Sequence, residues 1–314
     1  MHRRLLRGAL GLLALFHGTA AHSPPAGTTS DPRHDSRSAA PIARAPSNMT
    51  SILRYREVEA GEAVKGGTKL RILPVGDSIT VGFLSDSNGG DGDGYRGRLE
   101  DDLSGDEVVF AGTESSGSMD DGYYAAWNAR TIQWISDHVD ESLEQRPNII
   151  LLAAGTNDMN PNPSVSREGN DPAEAADRLG GLIDKMVEAC PDATILAAMI
   201  IGTCSEDQAP ATAEFQQLIP GIVQERYDAG HHVLAVDFTT FRTSDLRDCI
   251  HPTNQGYRIM GDYWYSFLHQ IPTDWIQEPV GLDPDRPDSA GSTPGYDGTF
   301  ILMSGMMASF YLVL

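Results

Sequence analysis

The sequence predicts an α/β fold, a three-layer α/β/α doubly wound sandwich around a central five-stranded parallel sheet. Five apolar runs of strand length alternate along the chain with longer amphipathic stretches of helical length. These runs are continuously apolar instead of alternating with polar residues, which is typical of parallel strands buried on both faces. Because strand-helix alternation places helices on both faces of such a sheet, three layers are expected.

The elements lie within residues 51–275, which are expected to form one domain. The predicted strands are Leu70–Val75, Val108–Ala111, Ile149–Ala154, Thr194–Ile201 and His232–Asp237. The predicted helices are Tyr95–Leu103, Thr131–Gln145, Pro172–Ala189, Ala211–Ala229 and Asn254–Gln270.

Residues 1–21 have the layout of a secretory signal peptide. Arg3, Arg4 and Arg7 precede the apolar run Gly8–Phe16, and small residues lead up to an expected cleavage after Ala21. The alternative is a membrane anchor, but the run is far shorter than the roughly 20 residues that span a bilayer. We therefore expect a secreted, extracellular protein.

Residues 22–50 are rich in Ser, Pro, Ala and Thr and show no apolar periodicity, so they are predicted to be a disordered leader. Asn48-Met49-Thr50 is a sequon for N-glycosylation within this leader, which makes Asn48 a candidate glycosylation site of a secreted protein.

Residues 276–314 form a polar, turn-rich linker followed by an apolar C-terminal tail. Small residues at 289–291, a short polar spacer and an apolar end match the layout of a GPI-attachment signal, which would hold the protein at the cell surface. A plain hydrophobic end, a short membrane anchor and an extension of other origin remain open alternatives.

The chain of 314 residues carries a net charge of -21, from 23 basic and 44 acidic residues. Such a surface repels phosphate backbones, so nucleic acid is not an expected partner. No motif indicates a cofactor or a metal, and none indicates an obligatory protein partner. We expect the only partner to be a small ester or a polysaccharide substrate, apart from membrane attachment through the tail.

Three polar clusters follow strands of the predicted sheet. Ser78 follows the first strand, "GTND" at 155–158 follows the third, and "DCIH" at 248–251 follows the fifth. Ligands of doubly wound sheets bind outside the carboxyl ends of the strands. The three clusters are therefore expected to meet at one edge of the sheet.

These residue types supply the parts of a nucleophilic hydrolase. A serine hydroxyl needs a base, a group that orients the base, and donors for the developing oxyanion. His251 is the candidate base for Ser78, and Asp248 is close enough in sequence to orient the imidazole. Asn157 and the backbone N–H of Ser78 are candidate oxyanion donors. Taken singly, each residue could instead cap a helix or stabilise a turn.

The blocks "GDSIT", "GTND" and "DCIHPTNQGY", in this order, resemble those of the SGNH, or GDSL-type, hydrolase superfamily. "ILPVGDSIT", "GYRGRL", "VVFAGT" and "GTNDM" are most similar to carbohydrate esterase family 3 and its fungal acetyl esterases. The resemblance implies a flavodoxin-like SGNH hydrolase domain in which Ser78 is the nucleophile, His251 the general base and then acid, Asp248 its orienting partner, and Asn157 an oxyanion donor.

One residue departs from the family pattern. The remaining oxyanion donor is expected on a glycine in a segment like W-x-G-x-T-I, whereas residues 127–132 read "WNARTI". Ala129 retains the backbone N–H, but its methyl group can crowd the acyl substituent or resist a positive φ.

The resemblance implies a serine esterase that removes O-acetyl groups from plant cell-wall polysaccharide such as xylan through an acyl-enzyme. A lipase or lysophospholipase-like broad esterase, and a catalytically weak carbohydrate-binding surface protein, are the alternatives. Tyr123, Tyr124 and Trp127 are candidates for a sugar-stacking platform, although packing explains them equally well.

The three cysteines predict one disulfide. A strand over Thr194–Ile201 spans ~26 Å at ~3.3 Å per residue, which separates Cys190 from Cys204. Cys249 lies in the loop of Asp248 and His251, at the same sheet edge as Cys204. Since a disulfide needs Cα atoms within about 7 Å, Cys204–Cys249 is the predicted pair and Cys190 is expected to be free.

Overall fold

The structure is a computed structural model that describes residues 52–286. The predicted signal peptide, the leader with Asn48, and residues 287–314 of the predicted tail lie outside the described residues. No helix within residues 52–286 is both long enough and apolar enough to cross a membrane.

The described chain has eight strands and seven α-helices, together with the 3-10 helices Ser87–Gly89 and Thr243–Asp245. The strands are β1 (Ile52–Arg54), β2 (Leu70–Gly76), β3 (Val108–Phe110), β4 (Glu114–Ser115), β5 (Tyr123–Ala126), β6 (Ile149–Ala153), β7 (Thr194–Met199) and β8 (Val233–Asp237). The helices are α1 (Ser78–Val81), α2 (Tyr95–Asp102), α3 (Ile132–His138), α4 (Asp140–Leu143), α5 (Pro172–Ala189), α6 (Ala209–Asp228) and α7 (Asn254–Leu268).

The five predicted strands form a parallel core in the order β3-β2-β6-β7-β8. The α/β prediction is confirmed, but the sheet is wider than five strands. β3 pairs only with the first half of β2, so Val75 and Gly76 are free to pair with β5 on the same side. β1 adds a parallel edge strand next to β8, and β4 pairs antiparallel with β5. These additions were missed because they are two to four residues long.

The sheet separates two apolar cores, which confirms the three layers. Alternate residues of a strand point to opposite faces. In β6, Leu151 packs into the core that includes residues of α2 and α7, whereas Leu152 packs into the core that includes residues of α3, α5 and α6. The continuous burial of β2, β6 and β8 is the reason for their unbroken apolar sequences.

The helix predicted over Thr131–Gln145 is instead two short helices. α3 ends and α4 begins around Val139, whose φ of -83° and ψ of -12° are typical of the end of a turn rather than a helix interior. The other predicted long helices agree with α2, α5, α6 and α7 to within two residues at each end.

The described part of the predicted linker, residues 276–286, packs against the domain. The guanidinium of Arg71 is only 1% exposed, donates to the carbonyl oxygens of Val280 and Gly281, and forms a 2.8 Å ion pair with Asp283. The guanidinium of Arg286 lies 3.6 Å from the centroid of the Tyr123 ring. The compact part of the chain therefore reaches beyond residue 275, at least to Arg286.

Candidate active site

Ser78 is the first residue of α1, directly after the buried strand β2. Asp77 caps this helix, because its carboxylate accepts a 3.0 Å hydrogen bond from the Ile79 N–H. Gly76 permits the tight strand-to-helix turn, since a Cβ at this position would lie 2.3 Å from the carbonyl oxygen of Ala153. The turn places the Ser78 hydroxyl at the carboxyl end of the sheet, as predicted.

The structure brings Ser78, His251 and Asp248 into one hydrogen-bonded chain. Ser78 Oγ lies 2.9 Å from His251 Nε2, and His251 Nδ1 lies 2.8 Å from Asp248 Oδ2. This arrangement suits an imidazole that donates from Nδ1 to the carboxylate and accepts the hydroxyl proton at Nε2.

The carboxylate of Asp248 is held in its ionised form. Its Oδ1 accepts the backbone N–H groups of Ile250 and His251, at 3.1 and 2.7 Å. Partial burial raises the pKa of Asp248, but these N–H groups and the imidazole outweigh burial, and the net pKa is below its usual value. A fixed, ionised partner is what a histidine base needs in order to become positively charged.

Asn157 and Ala129 line the same pocket as Ser78 and His251, which we call the Ser78 pocket. Asn157 Nδ2 donates a 3.0 Å hydrogen bond to the Arg130 carbonyl oxygen, which fixes the amide and leaves its second hydrogen for another acceptor. The pocket has a volume of about 200 Å³. Its lining residues are Ser78, Phe83, Asn128, Ala129, Thr156, Asn157, Asn160, Val165, Gln208, Ile250 and His251.

Ala129 adopts a left-handed backbone conformation. Its φ is 56°, in the region that glycine enters without steric cost and alanine does not. The loop therefore has the backbone conformation expected of a glycine, and the backbone N–H of Ala129 is retained. This conformation costs about 1–2 kcal/mol for a residue with a Cβ.

Asp158 joins the loops of Asn157 and Ala129, a role that the sequence did not reveal. It is fully buried, accepts the Ile132 N–H at the start of α3 at 2.9 Å, and pairs with Arg178 at 3.1 Å. Burial raises the pKa of Asp158, and the Ile132 N–H and Arg178 oppose that rise. A shared buried anchor sets the distance between the two loops that line the Ser78 pocket.

The loop of Asp248 and His251 is bonded covalently to the loop after β7. Cys204 and Cys249 form a disulfide with Cα atoms 4.7 Å apart, and Cys190 is free and buried. Thr203 Oγ1 also donates a 2.7 Å hydrogen bond to the Cys249 carbonyl oxygen. Because Cys249 has a φ of 69°, these bonds hold a conformation that a non-glycine residue rarely adopts.

The three predicted stacking residues do not line the Ser78 pocket. Tyr124 is buried, with the Arg96 guanidinium 4.3 Å from its ring centroid. Tyr123 stacks with a guanidinium of the C-terminal segment, and Trp127 packs edge-on against Trp134 at 5.0 Å. Each of the three rings therefore has a packing partner, in α2, the C-terminal segment and α3 respectively.

Phe83 is the aromatic residue that does line the pocket. The residue is 38% exposed, and its ring centroid lies 4.8 Å from that of His251. Its backbone is fixed at both ends, because its N–H donates to the Ser78 carbonyl oxygen and its carbonyl oxygen accepts from the Tyr257 hydroxyl, each at 2.9 Å. The position of Phe83 five residues after Ser78 is the signal that sequence reasoning overlooked.

A larger cavity of about 580 Å³ lies beside the site on α2 and α7, with Asp93, Glu100 and Asn254 in its lining. It contains neither Ser78 nor His251, so its size does not make it the reaction site. Within the described residues, no group of three or more His, Cys, Asp and Glu side chains is arranged to hold a metal ion.

The fold and the hydrogen-bonded Ser78, His251 and Asp248 are those of a serine hydrolase on a flavodoxin-like sheet. The profile of the GDSL-like Lipase/Acylhydrolase family matches residues 75–259, more than half of the chain, and the chain belongs to this family. The description of this family names lipases and acylhydrolases, which are ester hydrolases. The match includes Ser78, Asn157 and the Asp248–His251 loop.

Solved structures and one curated protein resemble the chain. A Clostridium thermocellum family 3 carbohydrate esterase is 25% identical with a TM-score of 0.53, over 65% of this chain and 98% of that one. A family 3 carbohydrate esterase from Talaromyces cellulolyticus shares the fold at 20% identity and a TM-score of 0.51, over 65% of this chain and 97% of that one.

The curated protein is the Acetivibrio thermocellus protein named "Putative endoglucanase X", 26% identical over 145 residues. The match covers 44% of this chain and spans 54%, about half, of the length of that relative.

Proposed function

We propose that the protein is a secreted serine esterase that removes O-acetyl groups from plant cell-wall polysaccharide, such as xylan, through an acyl-enzyme. The observation that carries the proposal is the continuous chain from Ser78 Oγ through His251 to Asp248, with both hydrogen bonds shorter than 3 Å. Support for a carbohydrate ester comes from the similarity to the family 3 esterase of Clostridium thermocellum.

The first half-reaction transfers the acyl group to Ser78. The hydroxyl oxygen attacks the ester carbonyl carbon while His251 Nε2 takes the hydroxyl proton, and the carbonyl oxygen becomes an oxyanion. The N–H groups of Ser78 and Ala129 and the amide of Asn157 are the proposed donors to that oxyanion. The tetrahedral intermediate then expels the sugar oxygen, which receives the proton from His251.

The second half-reaction reverses these roles with water. His251 takes a proton from a water molecule, the water oxygen attacks the acetyl-serine carbonyl, and Ser78 leaves with the proton returned by His251. Acetate and the free enzyme result. The Ser78 pocket, which Ala129 and Asn157 line, has a volume of only about 200 Å³, and this small volume supports a short acyl group as the preferred substrate.

Acetate release from acetylated xylan by the wild-type protein and by Ser78→Ala tests this proposal. We expect release by the wild type and a loss of at least about 10³-fold in the variant. Nitrophenyl esters of increasing chain length are compared in parallel, and acetate should be the best substrate. Preference for long acyl chains would support a lipase-like esterase, and equal rates for both proteins would refute the proposed role of Ser78.

We also propose that the mature protein is extracellular and begins at His22. The disulfide between Cys204 and Cys249 supports this location, because disulfides persist in oxidising compartments. N-terminal sequencing of protein secreted by its host tests the cleavage position. Release from cells by a phosphatidylinositol-specific phospholipase would support the GPI-anchored form, and a mature protein that retains Leu314 would refute it.

A further inference from the structure

A second hollow adjoins the Ser78 pocket and shares Phe83 with it. This hollow, which we call the Phe83 groove, has a volume of about 370 Å³. Its lining residues are Val81, Gly82, Phe83, Leu84, Asp86, Asp91, Gly92, Ser116 and Gly117. Because Phe83 lines both hollows, a ligand that extends from Ser78 over this ring enters the groove.

The proton transfer to the leaving sugar oxygen places the sugar on the side of the Ser78 pocket that adjoins the Phe83 groove. The sugar oxygen that departs must receive its proton from His251, so it lies within hydrogen-bond reach of Nε2. The Phe83 ring packs against the His251 ring. The acyl group is held near Asn157 and Ala129, which do not line the groove. A sugar attached to the leaving oxygen therefore meets the exposed face of Phe83.

The groove is acidic. Asp86 and Asp91 are exposed carboxylates in its lining, which contains no Lys, Arg or His among the described residues. Carboxylates accept hydrogen bonds from sugar hydroxyls, but they repel an anionic sugar.

We propose that the Phe83 groove is a subsite for an uncharged sugar of the leaving polysaccharide, with Phe83 as its stacking platform and Asp86 and Asp91 as acceptors of hydroxyl hydrogen bonds. This inference rests on the proposed esterase function and deepens it. The subsite selects neutral chains such as xylan and disfavours chains that carry uronate carboxylates at the sugar next to the ester.

Binding to the inactive Ser78→Ala protein tests the subsite without dependence on catalysis. Neutral xylo-oligosaccharides and galacturonate oligosaccharides are titrated by calorimetry at low and high salt. We expect the xylo-oligosaccharides to bind more tightly, and added Phe83→Ala to weaken their binding by about threefold to tenfold. Equal binding of the two sugars at low salt, or no effect of Phe83→Ala, would overturn the proposal.

The charge selection is tested by adding Asp86→Asn and Asp91→Asn together to the Ser78→Ala protein. Affinity for galacturonate should rise about threefold to tenfold at low salt, and the rise should shrink at high salt because screening weakens the repulsion. The matched control is Glu141→Gln with Glu144→Gln. Those exposed residues belong to the α4 region just before β6, near the amino ends of the strands.

The control pair removes the same net charge far from the groove. An equal rise in galacturonate affinity for both pairs would show that only net charge matters and would overturn the subsite. A second readout of the subsite uses the catalytically active protein, which keeps Ser78. It is the ratio of kcat/KM on acetylated xylo-oligosaccharide to kcat/KM on nitrophenyl acetate. Failure of the esterase proposal would be seen separately, because the wild-type protein would then not hydrolyse nitrophenyl acetate.

Discussion

Replacement of Asp77 by asparagine is expected to stabilise the protein at neutral pH but much less in acid. Asp77 is buried next to the nucleophile, and one of its oxygens caps α1 at the Ile79 N–H. Its Oδ2 has no hydrogen-bond partner of ordinary geometry, although the nearby Thr156 hydroxyl lowers the pKa slightly. Burial is the dominant cause that raises the pKa of Asp77 to about 6.

The sign and size of the effect follow from this pKa. A carboxyl group whose pKa is higher in the folded state contributes stability below its unfolded pKa of 3.8, and that stability is lost as the pH rises through about 6. The difference of roughly 2 pKa units corresponds to about 3 kcal/mol. Asparagine keeps the acceptor for Ile79 and cannot ionise, so the variant does not suffer this loss.

Urea denaturation of wild type and Asp77→Asn at pH 4 and pH 7.5 measures the effect. The free energy of unfolding of the variant, relative to wild type, should be higher at pH 7.5 than at pH 4 by about 2 kcal/mol. The difference is smaller than the full value of about 3 kcal/mol because pH 4 lies just above the unfolded pKa of 3.8. Asp177→Asn, an exposed position on α5, is the matched control and should show a pH-dependent change below about 0.5 kcal/mol. An Asp77→Asn difference that is the same at both pH values would refute the reasoning.

Three further predictions test other parts of the site and fold. Ala129→Gly should raise kcat/KM on butyryl relative to acetyl esters by up to about tenfold, because each methylene that becomes buried contributes about 0.8 kcal/mol; an identical chain-length profile for both proteins would exclude crowding by the methyl group. Asp248→Asn should lower kcat by roughly 10²–10⁴-fold on nitrophenyl acetate with an unchanged circular dichroism spectrum, and a smaller loss would remove Asp248 from the proposed relay. Asp283→Asn should lower the unfolding free energy by about 1 kcal/mol at pH 7, since it leaves the buried Arg71 without its counter-charge, and unchanged stability would show that the carbonyl contacts of Arg71 suffice.

Much of the fold could be predicted because its physical causes are local. The strands β2, β6 and β8 are buried on both faces, so the sequence of each is a nearly unbroken apolar run. The helices α5 and α7 begin at side-chain caps, Asp171 and Thr253, which bond to the N–H groups of their first turns. Because the carboxyl ends of parallel strands share one edge of the sheet, the order of the strands predicts which loops meet.

The parts that escaped prediction depend on partners distant in sequence. The buried Arg71 finds its carboxylate partner, Asp283, 212 residues further along the chain, and nothing near residue 71 indicates it. Asp158 looks like one more polar residue of a turn until Arg178 and the start of α3 pack around it. β1 is only three residues long and owes its pairing to the free edge of β8.

The aromatic residues show the same limit. Tyr124 and Phe83 are equally near the site in sequence terms, but β5 turns the first into the interior while the cap of α1 at Gly82 leaves the second exposed. Side-chain direction follows from local backbone geometry that the residue pattern does not specify. Phe83 therefore lines the Ser78 pocket, whereas Tyr123, Tyr124 and Trp127 do not.

Mass spectrometry of the protein quenched during turnover of an acetyl ester tests the central claim most directly. The account predicts one acetyl group on the peptide that contains Ser78, and none on that peptide in the His251→Ala variant. Acetyl transfer to another residue, or continued turnover by Ser78→Ala at the wild-type rate, would contradict the claim that Ser78 is the nucleophile activated by His251.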